Sequence, residues 1–161
     1  MTASLCRSTC ATPVGELTLV GSARGLRHVL WAEREPPETA AVGACDVLDE
    51  AARQLEAYFA GDLRRFDLPL DLVGTEFQVA AWLALADVAF GTTVSYGEQA
   101  RRLGRPSAVR AVGAANGRNP LPIVLPCHRI VGADGSLVGF GGGLPRKRLL
   151  LEHEARLAPS R

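Results

Sequence analysis

Pro126-Cys127-His128-Arg129 closes an apolar run, Leu121-Pro122-Ile123-Val124-Leu125, and opens onto a glycine-rich segment, 132–143. The run reads as a buried strand that carries one thiol and one imidazole to its end. Strand ends suit functional sites, because the scaffold is rigid and the loop beyond is free. Pro126 fixes its own φ and biases Leu125 towards extended backbone, so the approach to Cys127 is stiff. A thiol reacts as thiolate, and an imidazole nearby can take its proton. Adjacent side chains in extended backbone point opposite ways, so Cys127 and His128 cooperate only if the chain turns between them. The other reading is a buried structural cysteine next to a solvent-facing histidine.

Around this stretch lie 161 residues, enough for one large domain or two small ones with a sizeable core. An apolar share of 47% and a charged share of 22% are those of a soluble globular protein. The start, Met1-Thr2-Ala3-Ser4-Leu5-Cys6-Arg7, has no apolar signal core, and no apolar stretch is of membrane length. The expected compartment is the cytoplasm, with no membrane partner. There the thiols of Cys6, Cys10, Cys45 and Cys127 are expected to stay reduced. Cys6-x3-Cys10 has no second pair at ligand spacing, which argues against a metal site.

Net charge is +1, but it is unevenly placed. Residues 1–90 hold 7 Arg/Lys against 13 Asp/Glu, and residues 91–161 hold 11 against 4. An acidic half joined to a basic half favours a polyanion as partner of the second, over two solvated faces that happen to differ. Of the 18 basic residues only Lys147 is a lysine, and arginine suits phosphate and base stacking.

Before residue 72 the chain reads as strands and turns around one helix. Thr12-Pro13-Val14-Gly15 is a turn, Glu16-Leu17-Thr18-Leu19-Val20 alternates as a half-buried strand, and residues 26–31 are a further strand. Residues 33–38, with Pro36-Pro37, are loop. Val47, Leu48, Ala51, Ala52, Leu55, Tyr58 and Phe59 recur at helical spacing up to Gly61. Residues 66–72 alternate through Pro69 as an edge strand or linker. The domain boundary is set there, giving domains 1–72 and 73–161.

The second section opens with a capping box, Thr75 with Gln78. The spacing predicts a helix over 77–89 that is apolar on nearly every side, hence central and buried. Ser95-Tyr96-Gly97-Glu98 is a second capping box, and Gly104-Arg105-Pro106 turns the chain into a helix over 107–116. Helix, short turn, helix is the outline of a helix-turn-helix. Its second helix carries Ala108, Ala111, Gly113, Ala114 and Ala115 around Arg110. Few long polar side chains are there to read a major groove, while small ones allow close approach in a minor groove. Packing on the 77–89 helix would also want small residues. Ile130-Val131 and Leu137-Val138 flank a hairpin signal, Ala133-Asp134-Gly135-Ser136. A last helix runs from Pro145 to about Ala155, with Leu149, Leu150 and His153 inward. Arg146, Lys147 and Arg148 at its start oppose the helix dipole, a cost that phosphate contact could offset.

With these motifs in order, the chain resembles the O6-alkylguanine-DNA alkyltransferases, or methylated-DNA–protein-cysteine methyltransferases. The likeness rests on 123–129 with its Pro-Cys-His-Arg, on Arg110-Ala111-Val112-Gly113 and Asn119-Pro120. Ser95-Tyr96-Gly97, Gly139-Phe140-Gly141-Gly142 and Leu150-Leu151-Glu152-His153-Glu154 extend it. It is close from 75 to 154 and looser before. The resemblance implies an α+β protein: a small, β-rich, ribonuclease H-like first domain, and a mainly helical second domain with a winged-helix-like helix-turn-helix. It implies direct-reversal DNA repair. The alkyl group of O6-alkylguanine, and of O4-alkylthymine, moves irreversibly to Cys127 in a single turnover, after base flipping through the minor groove.

By the same resemblance His128 is the base, acting through a water, Glu154 holds the imidazole, Asn119 braces the turn, and Tyr96 donates to the base. Arg110 enters the stack. Ala108, Ala111, Gly113 and Arg129 meet DNA, and Pro122, Ile130, Phe140, Gly141 and Gly142 form the substrate pocket. Phe140 departs from the tyrosine of many members, losing an OH contact while keeping stacking. Some members bind zinc in the first domain. Here the matching positions include Ser22 and Arg27, which cannot replace a thiolate and an imidazole, so neither zinc nor any cofactor is expected. The expected partner is duplex DNA containing alkylated guanine, bound by a monomer. The charge split suggests cooperative coating, the acidic domain of one molecule beside the basic domain of the next.

Two rivals remain. A papain-like thiol hydrolase would need an oxyanion hole and a peptide cleft, and an arginine-rich half is not expected of one. A non-catalytic module that binds alkylated DNA, or a regulatory one, would have no need of the cysteine.

Overall fold

The computed structural model describes residues 4–36, 40–43 and 45–158. The chain divides into two compact units between Val73 and Gly74.

In the first unit, β1 (Cys6–Thr12), β2 (Gly15–Ser22) and β3 (Gly25–Trp31) form an antiparallel meander, and the short β4 (Ala41–Val42) pairs parallel with β1. The sheet order is β3-β2-β1-β4. Helix α1 (Asp46–Ala60) covers one face, burying Leu48, Ala51, Leu55 and Tyr58 with Leu17 and Leu19 of β2. It stops at Gly61, whose φ of 88° suits a residue without Cβ. The 66–72 segment lies along the β3 edge: Leu26 N–H donates to Pro69 O at 2.8 Å, and Asp71 N–H donates to Leu26 O at 2.9 Å. Gly25 makes that approach possible, since a Cβ there would lie 2.4 Å from Pro69 O. Of the loop expected over 33–38, residues 33–36 carry no helix or strand, while Pro37 and Glu38 lie outside the described residues.

Ser22 and Arg27 converge on Asp71: Ser22 Oγ donates to Oδ2 at 2.6 Å and Arg27 Nη1 to the same oxygen at 3.1 Å. An anionic hub with two donors ties β2, β3 and the edge segment together. The expectation of four reduced thiols is corrected, because Cys6 and Cys45 are joined by a disulfide with Cα atoms 6.6 Å apart. Pairing of β4 with β1 brings the start of α1 back beside Cys6, within disulfide reach, across a sequence separation of 39 that conceals it. Cys10 and Cys127 are the free cysteines.

The second unit begins with α2 (Glu76–Leu85), capped by the reciprocal Thr75–Gln78 box. α2 ends at Leu85 rather than Ala89, and it is not buried all round: Ala81, Trp82 and Leu85 face in, while Leu83 is 49% exposed. The unit is too small to cover every side of it. β5 (Val94–Ser95) leads into α3 (Tyr96–Arg102). Ser95 accepts from Glu98 N–H at 3.0 Å, but the box is half-formed, because Glu98 pairs with Arg101 and Arg102 instead. Gly104, at φ 73°, turns the chain into α4 (Val109–Gly117). Trp82 Nε1 donates to Ala115 O at 2.7 Å, fixing α4 on α2.

The strand read into 121–125 is corrected to a buried turn. Pro120 and Pro122 remove ladder donors, Leu125 N–H closes on Leu121 O at 2.8 Å, and Ile123 adopts φ 74°. The hairpin at 133–136 is corrected too. Its turn forms, with Gly132 N–H to Ser136 O at 2.8 Å, but 137–138 is not a strand. β6 (Ile130–Val131) pairs instead with β5, in parallel. α5 (Leu144–Leu157) closes the unit with Leu150 and His153 inward, and Leu149, expected inward, is 48% exposed. Among the described residues no helix is long and apolar enough to cross a membrane.

Candidate active site

The turn that the Cys-His pair requires is present. Residues Cys127–Arg129 form one turn of 3-10 helix, closed by Arg129 N–H donating to Pro126 O at 3.0 Å and preceded by a tighter bond from Cys127 N–H to Leu125 O at 2.8 Å. Asn119 holds the approach: its Nδ2 donates to Leu125 O at 2.8 Å and its Oδ1 accepts from Leu121 N–H at 2.9 Å. The strained backbone at Ile123 lies inside this brace.

Cys127 is 6% exposed, and burial pushes its thiol up from the ordinary value, against the Asn119 side chain and the Lys147 charge, which pull it down. The thiol is therefore protonated at neutral pH and needs a base. His128 is fully buried, which removes the alternative of a solvent-facing histidine. Its Nε2 lies 2.7 Å from Glu154 Oε2, and its Nδ1 is buried without a hydrogen-bond partner among the described residues. Burial lowers the imidazole's pKa, outweighing the opposing pull of Glu154. A neutral ring that donates from Nε2 to Glu154 keeps the Nδ1 lone pair open to receive a proton.

Glu154 is 1% exposed, and it rather than the exposed Glu152 faces the site. Burial alone would raise its carboxyl, but hydrogen bonds from His128 and Arg129 hold it far below the usual carboxylate range. Arg129 grips both oxygens, Nε to Oε1 at 2.8 Å and Nη2 to Oε2 at 2.9 Å, and donates from Nη1 to Val88 O at 2.6 Å. At 5% exposure Arg129 is not a DNA contact, and that expectation is corrected. A bidentate guanidinium is a better match to a buried carboxylate than to a passing phosphate.

Lys147 is corrected in the same sense and is the residue that sequence reasoning missed. It is fully buried. Its Nζ donates to Val138 O at 3.0 Å and Gly139 O at 3.3 Å, and lies 5.9 Å from the Tyr96 ring centre. Burial lowers its pKa, and the neighbouring Cys127 raises it. It clamps the glycine loop and supplies positive charge to the thiol. That it is the one lysine among 18 basic residues was the available signal.

A cavity of about 270 Å³ adjoins the thiol, lined by Tyr96, Gly113, Asn116, Gly117, Cys127, Gly139, Phe140 and Gly141. Tyr96 donates its hydroxyl proton to Val138 O at 3.0 Å. Pro122, Ile130 and Gly142 are not in this lining, and Pro122 and Ile130 are buried. Arg110 and Ala111 are exposed on α4, with Ala108 and Gly113 half-buried beside them.

A buried thiol with a histidine–carboxylate relay, opening through a small cavity beside a helix-turn-helix, defines a thiol-dependent group-transfer protein built on a nucleic-acid-binding domain. Residues 5–72 match the ribonuclease-like domain of 6-O-methylguanine DNA methyltransferase, and residues 76–156 match its DNA binding domain. The chain is 48% identical over 154 residues to a methylated-DNA–protein-cysteine methyltransferase of Mycobacterium bovis, covering 94% of this chain and 93% of that protein. It is 45% identical over 147 residues to one of Methanosarcina acetivorans, covering 89% and 94%. The crystal structure of Mycobacterium tuberculosis OGT in complex with DNA superposes with a TM-score of 0.89 at 46% identity, covering 96% of each chain. The chain belongs to the 6-O-methylguanine DNA methyltransferase family.

Proposed function

We propose that this chain repairs alkylated DNA by moving the alkyl group from O6 of guanine onto Cys127, once per molecule. The observation that carries the reading is a protonated buried thiol at a base-sized cavity, backed by a neutral imidazole whose outer nitrogen is fixed by an ionised carboxylate. His128 Nδ1 takes the thiol proton through a water, sulfur forms a bond to the alkyl carbon, and the carbon–O6 bond breaks. The electrons left on the purine require a proton donor. Tyr96 fills that role if its hydroxyl exchanges Val138 for the base. A stable thioether cannot be hydrolysed by this site, so the protein is consumed.

A stacked base cannot reach a thiol enclosed in this way, so the lesion is flipped out of the duplex, at a cost of about a few kcal/mol. Arg110, exposed on α4 among small residues, fills the gap. Duplex DNA carrying alkylated guanine is the substrate, and the protein acts as a monomer. Intact mass after mixing with a duplex containing one O6-methylguanine tests the reading. A gain of one methyl per chain, mapped to Cys127, supports it, and an unmodified chain rejects it.

Arg110→Ala is expected to slow repair of duplex about tenfold or more while sparing single strands, since unstacking costs least there. Rate constants on both substrates check it, and equal losses would make Arg110 a plain phosphate contact.

A further inference from the structure

Asn116 takes no part in the transfer steps set out above, yet it lines the cavity beside Cys127 and is 8% exposed. Its partner is Gln99 of α3, 3% exposed. The two amides pair reciprocally: Gln99 Nε2 donates to Asn116 Oδ1 at 3.1 Å, and Asn116 Nδ2 donates to Gln99 Oε1 at 2.7 Å. Such a pair can normally be inverted by flipping both amides. Here it cannot, because Gln99 Nε2 also donates to the carbonyl of Ala81 at 3.4 Å, and a carbonyl only accepts. The orientation of Asn116 is thereby set from α2.

A side-chain amide has two donor hydrogens and two acceptor lone pairs. The pair uses one of each on Asn116, leaving one N–H and one lone pair. The rest of the α3–α4 contact is apolar, with Ala100, Val112 and Ala115 buried. Packing two helices does not require a buried amide pair, and such a pair is costly wherever it is incompletely satisfied. Its place is at the cavity wall.

We propose that Asn116, held by Gln99, is a specificity-determining residue of this pocket. Its remaining N–H and lone pair present a polar wall to the flipped base. That wall favours a hydrogen-bonding purine with a small O6 group. It disfavours large apolar O6 groups, which would cover the amide without giving it a partner. The inference rests on the alkyl-transfer reading and names what that pocket selects.

The test compares second-order rate constants for O6-methylguanine and O6-benzylguanine, presented in the same oligonucleotide. Asn116→Leu alone strands the Gln99 amide and melts lower. Gln99→Leu/Asn116→Leu, with the helix contact apolar on both sides, recovers the melting temperature. It should raise the benzyl-to-methyl ratio on the order of tenfold, the effect of one uncompensated buried amide. A double variant that melts like the parent and keeps the parent's ratio overturns the proposal. If the double variant does not fold, the unmodified wall is read directly in Cys127→Ala protein by side-chain amide NMR. The Asn116 Nδ2 resonances should move with lesion-containing duplex and not with the undamaged duplex. Unmoved resonances while the lesion binds overturn the proposal. Failure of the parent to accept a methyl group at all would instead reject the alkyl-transfer reading.

Discussion

Cys127→Ala is expected to bind alkylated duplex and remove nothing from it. Cys127 is the acceptor as well as the nucleophile, so its loss removes the destination of the alkyl group and transfer should fall below detection. No other thiol can substitute. Cys6 and Cys45 are joined to each other, and the remaining free cysteine, Cys10, lies on β1 in the first unit. Burial and the charge of Glu56 push the Cys10 thiol up, so it is a poorer nucleophile at neutral pH. Removing one sulfur leaves a small void costing on the order of 1 kcal/mol, which the fold tolerates. The check is duplex binding by fluorescence anisotropy together with mass mapping of every cysteine. Methyl appearing on Cys10 would sink the assignment of Cys127.

The helix-turn-helix and α1 were legible because their signals are local. Thr75–Gln78, Gly61 and Gly104 act within a turn of the residues they punctuate, and the spacing of Leu48, Leu55 and Tyr58 is itself the buried face of α1. The stretch 121–125 misled because an apolar run reports burial without reporting backbone shape. A buried strand and a buried turn have the same composition, and Pro120, Pro122 and the Asn119 brace decided between them. Pro-Cys-His-Arg by itself left a reactive thiol–imidazole pair as one of two readings, and the brace by Asn119 entered only with the family resemblance. Arg129 and Lys147 were assigned to DNA because a basic residue at a functional stretch is read as reaching outward. Arg129 turns inward because Glu154, 25 residues away, needs a buried counter-ion. Lys147 turns inward to hold two carbonyls of the glycine loop, those of Val138 and Gly139, against α5. Gln99 and Asn116, like Cys6 and Cys45, are pairs made across elements, and nothing in either half of such a pair names the other.

Glu154→Gln is expected to be costly twice over, because Glu154 serves two partners. It orients His128, and it neutralises Arg129, whose guanidinium it accepts on both carboxylate oxygens. Leaving a buried guanidinium uncompensated costs about 3–5 kcal/mol, so the variant should melt well below the parent. Loss of the oriented base should slow transfer about a hundred- to ten-thousandfold. Arg129→Met/Glu154→Gln separates the effects, since removing both charges should restore stability but not the rate. A pH series adds a signature. The folded-state pKa values of His128 and Glu154 are both depressed, so the unfolded chain binds more protons than the folded one in acid, and stability rises with pH. The His128 contribution is whole above its unfolded value of about 6.5 and is lost as pH falls below it. That of Glu154 is whole above its unfolded value of about 4.3 and is lost as pH falls further. Melting temperature should therefore decline in two stages on acidification. The second stage should shrink in Glu154→Gln, where no carboxylate remains to be protonated. Alkyl transfer by the parent should outlast the onset of the first stage and fail only at lower pH, when the folded His128, with its depressed pKa, takes a proton and its Nδ1 can no longer accept one. A parent that melts at one temperature from neutral pH to pH below 4 would show that the buried relay is not ionised as described.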